Sequence, residues 1–311
     1  MKGKKIAIVG SGSVGLFYGG KLAAAGHDVT FLLRSGFEEA KKDGIRIHSE
    51  AGDVHLPSPR IARTSGEIGQ VDLVVISIKA TANGALEELI TPLLGERTML
   101  LTLQNGLGSD ELLAGHFGAE RVLGALCFVC LTRRTPASVN HIGHGLISIG
   151  EYQRAPLPRT LEVVQAFQEA GVNAKVAENL AEERWRKLGW NVPFNGLAVA
   201  EGGVTVDHIL AQPELLAECR ALMDELIVAA NALGHLIEKE YADFHLERTY
   251  SMGAYQPSTL VDWLEGRELE IEPIWGEPLR RAQAIGLKMP HLEKLYHQLK
   301  SCRPRGQGGT S

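Results

Sequence analysis

The chain has 311 residues, about twice the length of a typical domain, with 44% hydrophobic and 22% charged residues; disordered, coiled-coil and collagen-like classes are excluded. Its net charge is -5 and no dense Lys/Arg tract occurs, which argues against nucleic acid or an anionic membrane as the main partner. The longest apolar runs, such as Val71 to Ile78, are strand-length and fall short of the roughly 20 residues that span a bilayer. The first apolar stretch, Ile6 to Val9, is too short for a signal peptide, so a cytoplasmic address is expected.

The first half alternates short β-type runs with helical stretches, the pattern of a parallel α/β sheet. Lys5 to Val9 reads as a buried strand, Val14 to Ala25 as a helix closed by Gly26, and Asp28 to Leu33 as a second strand. Val71 to Ile78 and Met99 to Leu103 are further strands, with a helix over Thr81 to Leu94 interrupted by Gly84 and Pro92. Val139 to Gly150 alternates around Gly143 and Gly145, which predicts a β-hairpin at the far edge of the sheet. From Leu180 onward strand signals nearly vanish. Pro213 and Gly234 bracket one helix, and others are predicted over Glu238 to Met252, Ser258 to Leu264, Pro278 to Ile285 and His291 to Leu299. The expected division is an α/β domain over 1–177, an all-helical domain over 178–303 and a flexible Gly-rich tail over 304–311.

Four cysteines, Cys127, Cys130, Cys219 and Cys302, are too scattered for a disulfide framework. Cys127 and Cys130 form a C-x-x-C that reads either as a redox or zinc pair or as two residues of an apolar strand; the missing second pair and flanking cation favour the strand. His141 and His144 form an H-x-x-H without a third ligand at suitable spacing, so packing histidines are favoured and no metal is expected.

Gly10-Ser11-Gly12-Ser13-Val14-Gly15 follows the first strand and opens the first helix. Strand, three glycines, helix and second strand in register make a dinucleotide-binding fingerprint of the Rossmann type. Gly10 serves the tight turn, Gly12 the close approach of a pyrophosphate and Gly15 the packing of helix on strand, while the helix start offers free N–H groups to the phosphates. A turn that binds nothing is the alternative. Dinucleotide folds that prefer NAD place Asp or Glu at the end of the second strand. This chain has Arg34, which can pair with a 2′-phosphate and points to NADP(H), unless it is an ordinary surface charge. Lys79, after the strand ending at Ile78, is a second candidate for that phosphate.

Lys187, Asn191 and Asn195 are spaced i, i+4, i+8, so successive members turn only about 40° on a helix and share one face. Pro193 is expected to kink that helix. The spacing is compatible with a functional face or with a solvated stripe ending at Asn195-Gly196.

The ordered set of the glycine loop, Lys79, Gln104-Asn105-Gly106-x-Gly108, Trp185-Arg-Lys187-Leu and a late Ser258 and Glu270 resembles the ketopantoate reductase (2-dehydropantoate 2-reductase) family, over essentially the whole chain to about residue 300. The resemblance implies a Rossmann-type doubly wound domain followed by an all-helical domain resembling that of 6-phosphogluconate dehydrogenase, with the active site between them. It implies reduction of the 2-oxo acid ketopantoate to pantoate with NADPH, a step toward pantothenate and coenzyme A. Carried over by residue, Lys187 would be the general acid that protonates the developing alkoxide. Glu270 would orient the substrate hydroxyl and Lys187, Asn191 and Asn195 would hold the substrate, Ser258 would bind its carboxylate, and Asn105 would sit by the nicotinamide and the reacting carbonyl. Without the resemblance, Asn105 reads as a plain turn residue and Glu270 as one charge in the acidic run Glu265 to Glu272. The chain departs from the family pattern at Tyr255, where better-known members carry an Asn. Two other readings keep the fold: a reductase of a different 2-oxo or 3-hydroxy acid, and a non-catalytic NADP(H)-binding regulatory protein. The apolar helices of the second half could build a homodimer interface or an internal core.

Overall fold

The computed structural model describes residues 1 and 3–303, so the expected tail at 304–311 lies outside the described residues. The chain divides into two compact units, one formed by Met1–Asn105 with Ser109–Leu180, the other by Gly106–Gly108 with the chain from Ala181 onward. No described helix is long and apolar enough to cross a membrane.

The first unit runs β1 (Lys5–Val9), α1 (Ser13–Ala24), β2 (Asp28–Leu32), α2 (Phe37–Asp43), β3 (Ile45–Ser49), β4 (Val54–Leu56), β5 (Arg60–Ala62), α3 (Ser65–Ile68), β6 (Val71–Ile76), α4 (Leu86–Ile90), β7 (Leu94–Thr102), α5 (Ser109–Phe117), β8 (Val122–Thr135), β9 (Ser138–Glu151), α6 (Pro158–Glu169) and β10 (Ala174–Val176). The strands form one mixed sheet in the order β4-β3-β9-β8-β7-β6-β1-β2-β5, with β10 paired to β9. From β5 through β8 every pair is parallel. Ile6 and Ile8 of β1 and Leu73 and Val75 of β6 enter one apolar cluster, while Ala7, Val9, Val74 and Ile76 enter another. Both faces of these strands are therefore buried, which is why they read as unbroken apolar runs rather than as alternating ones. The chain leaves β1 toward β2 and returns to β6 on the opposite side, so the switch point of the sheet lies at the carboxyl ends of β1 and β6, where open α/β sheets bind ligands.

Two predicted elements are corrected here. The expected helix over Thr81 to Leu94 is a 3₁₀ turn (Ala80–Ala85), the single α-turn of α4 and a second 3₁₀ turn (Thr91–Leu93); Pro92 has no N–H to extend α4. The expected hairpin over Val139 to Gly150 is instead a single strand, β9; a hairpin joins β8 to β9 at Pro136-Ala137 and lies inside the sheet, with β3 and β4 beyond it. Gly143 and Gly145 flank an irregularity within β9, where His144 has φ 61°.

The second unit is helical: α7 (Leu180–Ala200), α8 (Val206–Ala211), α9 (Pro213–Ala232), α10 (Tyr241–Tyr250), α11 (Ser258–Leu264), α12 (Glu277–Ala284) and α13 (Pro290–Ser301). A π-turn over Glu272–Gly276 leads into α12. Trp185, Phe194, Leu226, Trp275 and Leu295 belong to one core. Helix α7 runs for 21 residues with Pro193 inside it. Asn195-Gly196 is not a helix end. Gly196 lies at a close packing contact, where a Cβ would come within 2.6 Å of the Leu295 side chain and 2.8 Å of Trp275 Nε1.

Candidate functional site

In the first unit the glycine loop lies at the switch point. Gly10 has φ 101°, and a Cβ there would meet the backbone nitrogen of Ile78 at 2.3 Å. At Gly15 a Cβ would meet the Gly10 carbonyl oxygen at 2.2 Å. Ser77, just past β6, donates from its hydroxyl to the Gly10 carbonyl at 2.5 Å and from its backbone N–H to Val9 at 2.8 Å. Ser77 was not singled out in the sequence, because only the pairing of β1 with β6 puts it under the loop. Gly12 is the N-cap of α1, with extended backbone, and a Cβ there would face open space. The loop is thus shut from behind and open in front, the shape a phosphate cradle needs, and α1 presents the N–H groups of its first turn there. These residues fit the pyrophosphate of a dinucleotide.

Ser11 is buried and its hydroxyl donates to the Leu32 carbonyl at 3.0 Å, so its side chain fastens the loop to β2, leaving its backbone as the part that can serve a ligand. Ser13 and Val14 open α1. Arg34 is exposed beyond β2 and makes no ion pair with the described residues. Lys79 is half-buried and precedes the first 3₁₀ turn. Asn105 is half-buried after β7, and the residue before it is anchored: Gln104 donates to Asn83 Oδ1 at 2.7 Å. The H-x-x-H is structural. His141 Nδ1 lies 2.8 Å from Ser49 Oγ and Nε2 lies 3.1 Å from the His144 carbonyl, closing the irregularity in β9. Cys127 and Cys130 are half-buried, unbridged residues of β8, and no cluster of metal-ligating residues occurs among the described residues.

In the second unit α7 carries Lys187, Asn191 and Asn195, increasingly buried along the helix: Lys187 is half-buried, Asn191 is 9% exposed and Asn195 is 1% exposed. Asn195 Oδ1 accepts the Thr259 N–H at 2.9 Å and the Ser258 hydroxyl at 3.4 Å. Two predicted residues 63 positions apart are thereby brought together, and Asn195 acts as the support of Ser258 at the start of α11. The opposite side of α7 rests on α10. His245 is buried, with Nε2 3.2 Å from the Arg186 carbonyl and its ring against Gly189, and Trp190 donates to Thr249 Oγ1 at 2.9 Å. Burial, only partly offset by the Arg186 carbonyl, pushes His245 down to about 4. Tyr255 sits beside Trp190, ring centroids 6.1 Å apart.

Glu270 is half-buried just ahead of the π-turn. Its neighbours in the acidic run have other partners: Glu265 pairs with Arg267, and Glu272 is bonded by Arg280 at 2.7 Å, Tyr296 at 2.9 Å and Lys300 at 3.0 Å. Burial would raise the Glu272 carboxyl, yet these donors outweigh it and bring it to about 2. The π-turn also holds the loop that follows Asn105, since Leu107 N–H donates to the Pro273 carbonyl at 2.9 Å. Arg184, 5% exposed and one turn before Lys187, donates to the Gly106 carbonyl at 3.4 Å. Neither anchor was foreseen; a proline next to a π-turn, a feature that recurs at functional sites, is the signal that could have pointed to the first.

A family model described as ketopantoate reductase PanE/ApbA matches residues 6–154, and its C-terminal counterpart matches residues 179–303. The chain belongs to the ketopantoate reductase family. It is 35% identical over 314 aligned residues to a 2-dehydropantoate 2-reductase of Nostoc sp., covering 99% of this chain and 98% of that one. Among solved structures, a 2-dehydropantoate 2-reductase from Geobacter metallireducens GS-15 superposes with a TM-score of 0.93 at 43% identity, over 95% of this chain and 99% of that one. One from Methylococcus capsulatus superposes with a TM-score of 0.88 at 31% identity, over 95% and 96%. As a member of the ketopantoate reductase family the chain is an oxidoreductase, and its mixed α/β sheet and helical second unit are those of the family.

Proposed function

We propose that this chain reduces ketopantoate to pantoate with NADPH, the step toward pantothenate and coenzyme A. The observation that carries this reading is the match to the Nostoc enzyme across 99% of the chain at 35% identity. When bound, NADPH would supply the hydride for the 2-oxo carbon. The chain's own contribution begins at Gly10–Gly15, where the backbone N–H groups of Gly12 to Gly15 bind the pyrophosphate, while Arg34 and Lys79 pair with the adenosine phosphate. The exposure of Arg34 and the lack of a competing carboxylate support NADPH over NADH.

Lys187 donates the proton to the carbonyl oxygen as negative charge develops there, and its ammonium stabilises that charge before transfer. Asn191 binds the substrate through its amide. Ser258 turns its hydroxyl from Asn195 to the substrate carboxylate, while Asn195 holds the start of α11 in place through the Thr259 N–H. Glu270 accepts the substrate hydroxyl, and Asn105 orients the nicotinamide carboxamide and the oxo group.

Loss of NADPH absorbance on adding ketopantoate, with NADH run alongside, tests the proposal. Turnover of other 2-oxo acids but not ketopantoate would leave the chemistry and replace the substrate; cofactor binding with no turnover of any oxo acid would replace the enzyme with a regulatory protein.

A further inference from the structure

The tip of the β8–β9 hairpin touches both the glycine loop and the corner that follows β2. Arg133 donates from Nη2 to the Ser11 carbonyl at 3.4 Å and to the Pro136 carbonyl at 2.8 Å, and from Nε to the Thr135 carbonyl at 3.3 Å. The strand register shifts between Arg133 and Thr135, and such a bulge re-aims a side chain out of the regular alternation. The tip is fastened on its other side to the β2–α2 segment. Thr135 Oγ1 and the Ala137 N–H both donate to Glu39 of α2, the latter at 3.3 Å. Gly36 lies against Pro136, where a Cβ would come within 2.5 Å of the proline Cβ, and the Arg46 N–H donates to the Ala137 carbonyl at 3.1 Å.

These contacts close a ring. Ser11 is tied to Leu32 through its hydroxyl and to Arg133 through its carbonyl; Leu32 leads to Arg34 and Gly36; Gly36 packs on Pro136, which Arg133 also holds. Arg34 stands exposed on this ring. In a dinucleotide fold the adenosine ribose lies between the glycine loop and the end of the second strand, so the ring frames the place of its 2′-oxygen. A guanidinium presents its N–H donors in a planar fork that matches a phosphate bidentately.

Resting on the NADPH reading above, we propose that Arg133, presented by the hairpin tip, is a further specificity-determining residue for the adenosine 2′-phosphate beside Arg34 and Lys79. The test is calorimetric titration of the full chain with adenosine 2′,5′-bisphosphate and with adenosine 5′-diphosphate, which differ in the 2′-phosphate. Arg133→Gln should weaken the 2′,5′-bisphosphate about tenfold or more and the 5′-diphosphate less than about threefold, and Arg133→Lys, which keeps the charge but loses the fork, should fall between. Thermal melting of both variants shows whether the tip stays folded; if Arg133→Gln does not fold, Arg133→Lys carries the comparison. Equal weakening of both ligands would make Arg133 a structural tie and overturn the inference. If Arg34→Gln discriminates between the ligands and the Arg133 variants do not, this inference alone fails. If the unaltered chain itself shows no preference for the 2′,5′-bisphosphate, the NADPH reading fails with it.

Discussion

The glycine loop of the first unit and the lysine helix of the second are built on different principles. The loop works through backbone: its glycines and the N–H groups of α1 come from one contiguous stretch, and the requirement is that side chains be absent at Gly10 and Gly15. The lysine helix works through side chains, and their partners are distant in sequence. Asn195 reaches Thr259 across 64 positions, and Trp275 Nε1 donates to the Val192 carbonyl at 3.0 Å across 83. A contiguous backbone site tolerates changes in the side chains around it but no added atom at the crossing points. A site gathered from separated helices tolerates conservative changes only where the supporting contact is kept.

The largest effect should come from the one side chain proposed to act directly. Lys187→Ala is expected to lower turnover about 10²- to 10⁴-fold, the usual range for a general acid, with little change in melting temperature because the side chain is half-buried. Turnover retained above a tenth would remove the acid from Lys187. On the loop, Gly10→Ala puts a Cβ against the backbone of Ile78 and should cost about 3 kcal/mol of stability in urea unfolding, the upper range for overpacking. An unchanged midpoint would show that the loop yields and that its geometry is not imposed by β6.

Behind α7, burial holds His245 at about 4, whereas an unfolded histidine titrates near 6.5. Between these values the unfolded chain binds a proton that the folded chain does not, so stability falls as pH drops through that window and is unaffected above it. From pH 7 to pH 5 this amounts to about 2 kcal/mol. His245→Phe should flatten that part of the pH–stability curve; an equal slope in the variant would show that the histidine is not the source. The smallest effect is expected at Asn195. Asn195→Ala leaves the Thr259 N–H without its acceptor and should cost about 1 kcal/mol. It should raise KM for the oxo acid more than it lowers kcat, and Asn195→Asp, which keeps an acceptor, should restore part of the loss. Equal kinetics in both variants would separate Asn195 from the placement of Ser258.

Sequence alone was sufficient wherever the deciding forces are local. Lys5 to Ala24 reads directly as strand, glycine turn and helix, since apolar runs, glycine spacing and helix ends all act over a few residues. Ser258 to Leu264 and Pro213 to Ala232 are equally legible, the latter from its proline start and the glycine beyond its end. The order of motifs from Gly10 to Glu270 was enough to suggest the family. The short strands β3, β4, β5 and β10 were not read, because three to five residues carry little periodic signal and their pairing partners are remote. Pro193 shows the same limit: local propensity disfavours a proline inside a helix, yet α7 stays helical through it, held on one side by α10 and on the other by Trp275 and Leu295. Only the tertiary structure decided that Asn195 supports Ser258, that Ser77 lies beneath the glycine loop and that Arg133 reaches Ser11. Each of these contacts joins residues more than sixty positions apart, and no local pattern in a single chain records which distant segments will meet.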